Sequence, residues 1–277
     1  MVVTHDPPAG MLDRCLQSLA ASGDADVVVV VDNGGRARPS PDGVDVVHTT
    51  NRGFGAAANT GIARARERGA TQVALLNDDV EVEPGWLAPL VAELAGGERI
   101  GAVQPKLVMA NTAPRLVASV GVELDRFGAG QDLGLGQLDG DAFDGARDIP
   151  ICTGGAVLFD VAFLDDVGGF DERWFLYYED VDLALRGAAR GWRYRCAPAS
   201  VVRHVGSATT AGLGDRRAML LERNRLWCLF RHGSATSVAR GLWLSARRML
   251  HAPRRAHSSG LARGLLGAPR MLATRRR

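Results

Sequence analysis

Val27 to Val31 is an unbroken run of valine, bounded by Asp26 and by Asp32-Asn33-Gly34-Gly35. Five β-branched residues with no polar alternation suit a strand buried on both faces, which is the situation inside a parallel sheet covered by helices. That run therefore commits the chain to an α/β layer architecture. Val73-Ala74-Leu75-Leu76 repeats the signal and ends in Asn77-Asp78-Asp79. In open α/β sheets ligands gather at the carboxyl ends of the strands, which places both acidic turns at the expected site. Asp32 alone reads equally well as a turn residue. Two adjacent carboxylates at a strand end repel each other unless solvent or a cation intervenes, and oxygen ligands suit magnesium or manganese.

The remaining elements follow the same alternation. Val2-Val3-Thr4-His5 ends a short strand, and Met11 to Ala21 is an amphipathic helix with Leu12, Leu16 and Leu19 on one face. Val44 to His48 is a third strand. The small-residue segment from Asn51 through Gly53 to Gly61 leads into a helix over Ile62–Arg68. Gly53-Phe54-Gly55 lacks the spacing of a dinucleotide-binding loop, so close packing competes with phosphate binding as its purpose. A helix opens at Pro84-Gly85-Trp86 and runs to Ala95, and Ile100 to Val108 is a strand. Residues 111–148 are rich in Gly and Asp and predict strands and a mobile loop over the site. Cys152 to Phe159 returns to strand. Trp192 to Cys196 and Ala199 to Val202 predict two short strands, closed by His204, which is either an ordinary surface or core histidine or a ligand.

Trp174 to Arg186 holds the densest chemistry. Glu179, Asp180 and Asp182 follow a group of bulky aromatic residues and open a helix, where the macrodipole favours negative charge. One reading makes them helix-capping groups, with Asp182 and Arg186 as a surface ion pair four residues apart. The other uses the rings at 174, 175, 177 and 178 to exclude water and tune a carboxylate as a general base.

Charge divides the chain. Residues 215–277 carry 15 Arg against Asp215 and Glu222, whereas the net charge of the whole is only +2. Val238 to Leu250 and Leu261 to Leu272 read as basic amphipathic helices with Trp and Leu, a composition suited to a membrane surface. A solvated Arg-rich tail with nonspecific nucleic-acid affinity is the competing reading, and no specific nucleic-acid motif is present. Four dispersed cysteines with no C-x-x-C pair predict buried free thiols. The amino-terminal residues are too polar for a signal peptide, and no stretch reaches the roughly eighteen apolar residues of a span, which predicts a cytoplasmic protein.

The motifs in order are Val-Val-Thr at 2–4, Val-Val-Asp-Asn-Gly to Gly34, Asn-Arg-Gly-Phe-Gly from Asn51, Leu-Asn-Asp-Asp at 76–79, Thr-Gly-Gly at 153–155, Gly-Gly-Phe-Asp-Glu at 168–172, Glu-Asp-Val-Asp at 179–182 and His204. Together they resemble glycosyltransferase family 2, the inverting enzymes of GT-A fold, and most closely its rhamnosyltransferase-like branch. The resemblance implies a GT-A domain over residues 1–230, with a donor half to about 110 and an acceptor half beyond, followed by a basic amphipathic helical tail over 231–277. It implies donor binding by Thr4, Asp32, Asn51, Gly53, Asn77 and Asp78, and a divalent metal, magnesium or manganese, on Asp79 and His204. It makes Asp180 the base, Glu179 and Asp182 supporting groups, and Thr153, Gly154, Gly155 and Trp174 the acceptor side.

The implied reaction is a single inverting displacement, with dTDP-rhamnose as the expected donor. The expected acceptor is a cell-envelope glycan or a polyprenyl-diphosphate-linked intermediate. The tail then docks a peripheral enzyme on the inner leaflet. Galactofuranosyl or other hexosyl transfer within the family, nucleotidyl transfer, and sugar-nucleotide binding by a dead site are the alternatives. Nucleotidyl transfer requires a basic Gly-rich loop after the first strand, which Thr4-His5-Asp6-Pro7-Pro8 lacks.

Overall fold

A computed structural model describes residues 1–34, 43–206, 213–251 and 255–275. Gly35 of the first acidic turn and Arg276 and Arg277 of the terminal arginines lie outside the described residues.

Among the described residues there are twelve strands and eight α-helices. The first half comprises β1 (Val2–Thr4), α1 (Met11–Ser22), β2 (Val28–Asp32), β3 (Val44–His48), α2 (Phe54–Glu67), β4 (Gln72–Asn77), β5 (Val80–Val82) and α3 (Leu87–Ala95). The second half begins with β6 (Ile100–Met109), β7 (Val117–Ser119), β8 (Val122–Leu124), β9 (Gly130–Asp132) and β10 (Arg147–Ile149). It continues with β11 (Ala156–Asp160), α4 (Val161–Val167), α5 (Glu179–Ala188), β12 (Arg193–His204), α6 (Gly214–His232), α7 (Ala235–His251) and α8 (Arg255–Ala273). The main sheet runs β10-β12-β6-β11-β4-β1-β2-β3, with β5 on β12 and β7 on β6.

Strands β1 to β4 pair in parallel, Val2 against Val30 and Leu76, and Val28 against Val44. Their carboxyl ends therefore lie together, bringing Thr4, Asp32 and Asn77 to one edge. Strand β11 is antiparallel to both β4 and β6, and β12 resumes parallel pairing with β6. One apolar cluster, with Val3, Val31, Leu75, Phe163 and Trp174, packs α2, α4 and α5 on one face of the sheet. A second, with Val30, Leu76, Leu16, Trp86 and Leu90, packs α1 and α3 on the other. The valine run is thus buried on both faces, as its composition predicts.

Two expectations need correction. Helix α2 begins at Phe54, eight residues before the predicted Ile62, because Gly55, Ala56, Ala57 and Ala58 are all buried. Alanine is the best helix former, so Ala56, Ala57 and Ala58 carry the helix back to Phe54 despite Gly55. The two strands predicted around 192–202 are the single strand β12. It absorbs Pro198 in a register shift between Ala197 and Val201 on its β6 side, where a missing N–H is tolerated. Residues 111–148 form four short strands, and buried Lys106 reaches across from β6 to Asp139 (2.7 Å) and Asp144 (2.8 Å), pinning that excursion to the sheet. All four cysteines are buried and free.

The basic tail is folded. Helices α7 and α8 pack on α6 through Leu226, Phe230 and Met271. Gly260 and Gly264 allow the close approach, since a Cβ there stands 2.8 Å from Glu222 or 2.7 Å from Leu226. No helix among the described residues is long and apolar enough to cross a membrane.

Candidate functional site

A cavity of about 1210 Å³ opens along the carboxyl edge of the parallel strands. Thr4, Asn51, Gly53, Asn77, Asp78 and Asp79 line it from the β1–β4 side, together with His204 at the end of β12. Thr153, Gly154, Gly155, Glu179 and Asp180 line it from β11 and α5. The topology thus gathers residues separated by up to two hundred positions.

Asp180 is held by backbone. The Gly154 N–H donates to its Oδ2 at 2.9 Å and the Val181 N–H to its Oδ1 at 2.8 Å. Gly154 is itself placed by its neighbours: the Thr153 N–H donates to Gln104 Oε1 (2.8 Å), and the Gln104 amide donates to Ser119 (3.2 Å). Burial raises the Asp180 carboxyl above the usual range, while these two N–H donors favour its ionised form. Burial and the charge of Asp180 push Glu179 up to about 8, and Glu179 Oε2 makes no hydrogen bond. The two adjacent carboxyls differ in support: Asp180 receives two backbone N–H donors, which favour its charged form, whereas Glu179 Oε2 receives none, which favours its neutral form.

A prediction follows from the sign of that shift. The folded-state value of Glu179 exceeds its unfolded value, so its ionisation penalises folding increasingly from about pH 5 to about pH 8. Glu179→Gln mimics the protonated form and removes the penalty. Its melting temperature relative to wild type is expected to climb across that window with turnover retained, as measured by pH-resolved thermal denaturation and an activity assay. A dead variant would move the base to Glu179.

The segment before α5 is strained. Phe175, Tyr177 and Tyr178 have φ of 68°, 69° and 69°, unfavourable for side-chain-bearing residues. Asn224 of α6 offsets this by donating its amide to the carbonyls of Trp174 (3.2 Å), Leu176 (2.9 Å) and Tyr177 (2.7 Å). Gly53 closes the other side: a Cβ there would lie 2.2 Å from the Phe175 carbonyl oxygen, which accepts the Phe54 N–H at 2.6 Å. Gly53 therefore serves close packing as well as lining the cavity.

At the β4 end, Thr4 Oγ1 donates to Asp78 Oδ2 at 2.7 Å, and both are buried. Asp79 Oδ2 stands 3.2 Å from His204 Nε2, and Asp79 Oδ1 is buried without a hydrogen bond. A carboxylate with an unused buried oxygen beside an imidazole is a donor set that fits manganese or magnesium with further oxygens from a ligand. Among the described residues no three His, Cys, Asp or Glu side chains form a closed metal site.

Three predicted positions stand off the cavity wall. Asp32 is buried, accepts the Gly34 N–H at 3.0 Å and lies 2.9 Å from His48 Nδ1. Trp174 is fully buried, stacked on Tyr178 and edge-on to Trp227, so it supports the wall from behind. Asp182 lies three residues round the helix from Glu179 and faces inward. The predicted surface pair with Arg186 (2.8 Å) is instead a buried hub that also takes Arg231 (2.9 Å) and His232 (2.8 Å) from α6.

Sequence reasoning missed Asn224, Gln104 and Asp132. Asp132 of β9 lines the cavity. None of these sits in a recognisable motif; their roles come from long-range packing.

The family described as "Glycosyltransferase like family 2" matches residues 1–225. N-acetylglucosaminyl-diphospho-decaprenol L-rhamnosyltransferase from two Mycobacterium tuberculosis strains is 27% identical over 229 residues, covering 74% of each chain. Among solved structures, GalNAc-T7 with UDP, GalNAc and Mn2+ superposes with a TM-score of 0.68 at 14% identity. That match covers 98% of this chain and spans 55% of that one. Mannosyltransferase PcManGT from Pyrobaculum calidifontis, with GDP-Man and Mn2+, gives 0.53 at 18% identity, covering 99% of this chain and 82% of that one. S. aureus TarS 1-349 gives 0.58 at 13%, with coverage of 99% and 82%. At these identities the structural matches speak for the GT-A fold.

Proposed function

The chain belongs to the glycosyltransferase-like family 2, and from that premise we propose that it transfers L-rhamnose from dTDP-rhamnose to N-acetylglucosaminyl-diphospho-polyprenol with inversion. The observation that carries the mechanism is a single cavity holding both the Asp79–His204 pair and the backbone-held Asp180. The identity of sugar and acceptor rests on the mycobacterial relative.

In this reading Asp180 accepts the proton of an acceptor hydroxyl. That oxygen attacks the anomeric carbon as the carbon–oxygen bond to the diphosphate breaks, and the nucleoside diphosphate leaves with the electron pair. Asp79 and His204 would hold a divalent cation, which would supply charge stabilisation for that diphosphate. Thr4, Asn51, Asn77 and Asp78 line the donor end, and Thr153-Gly154-Gly155 floors the space beside the base. Asp32 lies behind the donor wall, where it orders the turn at Gly34 and His48. Asp182 and Trp174 act as supports for α5 and the segment before it. The boundary at 230 separates the catalytic fold from a helical pair that α6 anchors.

Thermal stabilisation across a nucleotide-sugar panel tests the donor assignment. dTDP-rhamnose is expected to raise the melting temperature more with manganese than without, and Asp79→Ala to abolish the manganese-dependent part. An equal shift in Asp79→Ala with metal present would remove Asp79 from the donor site.

The tail supports a peripheral membrane role on the inner face of the cell membrane. Trp243, Leu250, Leu265, Leu266 and Leu272 are exposed on α7 and α8, interleaved with Arg240, Arg247, Arg263 and Arg270. Apolar residues among arginines on paired helices suit an anionic lipid surface. The chain is expected to co-sediment with phosphatidylglycerol vesicles, less so at high salt, and Trp243→Ala with Leu266→Ala to weaken that binding. Retention of full vesicle binding by the double variant would contradict the assignment.

A further inference from the structure

The cavity extends beyond Asp180 to the carboxyl-terminal helices. Arg216, Arg217, Leu221, Glu222 and Arg225 of α6 line it, with Arg248 of α7 and His257 of α8. Four guanidinium groups therefore stand on this wall against one carboxylate. Glu222 is spent on Arg225 (2.7 Å), Arg248 (3.0 Å) and the hydroxyl of Ser245. Arg216 and Arg217 have no carboxylate partner among the described residues. Their guanidinium carbons lie 5.0 Å from the Phe175 ring and 6.0 Å from the Tyr177 ring, in the segment leading to Asp180. Aromatic faces orient the two cations without neutralising them. His257 Nδ1 is buried and makes no hydrogen bond.

Excess positive charge focused on one cavity wall selects an anion, and arginine in pairs suits phosphate oxygens. The Asp79–His204 pair already provides for the donor diphosphate at the β4 end. We infer that Arg216, Arg217 and Arg248 form a second diphosphate subsite, which holds the diphosphate of a lipid-linked acceptor while its sugar hydroxyl meets Asp180. This rests on the proposed function for the acceptor's identity, and it extends that reading by assigning the residues that recognise the acceptor's charge. The exposed apolar residues of α7 and α8 lie beside this wall in sequence. On α7, Gly241, Ser245 and Arg248 face inward while Trp243, Arg247 and Leu250 face out, so one helix presents both a phosphate contact and a lipid-facing stripe.

Binding of geranyl diphosphate to the full chain, measured by calorimetry with dTDP and manganese present at saturation, tests the subsite directly. Geraniol serves as the uncharged control. Wild type is expected to bind geranyl diphosphate under these conditions, and the variant Arg216→Gln with Arg217→Gln to bind it about tenfold or more weakly. Geraniol binding is expected to stay unchanged. Both arginines are exposed, so the variant should keep the wild-type melting temperature, and Arg217→Gln alone gives a milder test. No binding by wild type, or equal binding by the variant, would overturn the inference. Displacement of geranyl diphosphate by dTDP with manganese would overturn it too, by giving these arginines to the donor. Diphosphate binding that depends on the arginines, in a chain that transfers no sugar to lipid acceptors, would leave the subsite standing and count against the proposed function instead.

Discussion

Asp180→Asn is expected to lower turnover by about 10²–10⁴-fold, the range lost with a general base, while leaving donor affinity unchanged. Asparagine keeps the size of the carboxylate but offers one oxygen to the two N–H donors, Gly154 on Oδ2 and Val181 on Oδ1, so one of these hydrogen bonds is lost together with proton acceptance. Full retention of turnover in a steady-state transfer assay would remove Asp180 from the base role. The comparison with Glu179→Gln matters here. The two carboxyls are adjacent, yet only Asp180 receives N–H donors from another residue's backbone, so the two variants are expected to differ sharply.

The second large effect concerns folding. Asp182→Ala removes the single carboxylate that Arg186, Arg231 and His232 share inside the protein. Burial alone would raise the Asp182 carboxyl. The His232 hydrogen bond and the charges of Arg186 and Arg231 outweigh it and hold the group below the ordinary range. Its stabilisation is therefore present at neutral pH and lost as pH falls through that depressed value. Breaking a buried ion pair from one side costs about 3–5 kcal/mol. Arg186 retains the carbonyls of Val167 and Gly169, and Arg231 retains Asp171, which favours the lower part of that range. Urea denaturation of the variant at neutral pH measures the loss. A change below about 1 kcal/mol would mean the hub is an accessory to packing rather than a link between α5 and α6.

These residues also mark what the sequence could and could not disclose. Buried valine runs ending in Asp32 and in Asn77-Asp78-Asp79 announce parallel strands and the edge where ligands gather, because composition and strand polarity suffice. The order Glu179, Asp180, Asp182 announces an acidic helix start. It does not announce that Glu179 and Asp180 face the cavity while Asp182 turns into the protein, since that depends on what α5 packs against. Asn224 is equally silent in sequence. Its importance lies in three carbonyls of a strained segment about fifty residues away.

The arginine-rich tail is legible as basic and amphipathic, yet several of its arginines are structural. Arg225 is buried on Glu222 and on the carbonyls of Phe127 and Gly241, and Arg231 joins Asp171 to Asp182. A count of charges along the chain cannot separate these from Arg217, which faces the cavity with no carboxylate partner among the described residues. Packing decides between a surface charge and a core one. The early start of α2 has the same origin, because the four consecutive small residues Gly55 to Ala58 fit closely between β1, β2 and the segment around Phe170.

The measurement that bears most directly on the whole account is transfer itself. Wild type would be incubated with dTDP-rhamnose, manganese and N-acetylglucosaminyl-diphospho-polyprenol. The product would be identified by mass spectrometry, and its glycosidic configuration by NMR. The account predicts dTDP release matched one to one by a rhamnosylated lipid of inverted anomeric configuration. A product that retains the donor's configuration would contradict the single displacement from Asp180. Release of dTDP without any lipid product, or no consumption of any nucleotide sugar, would contradict the assignment of this cavity as a site for sugar transfer to a lipid diphosphate.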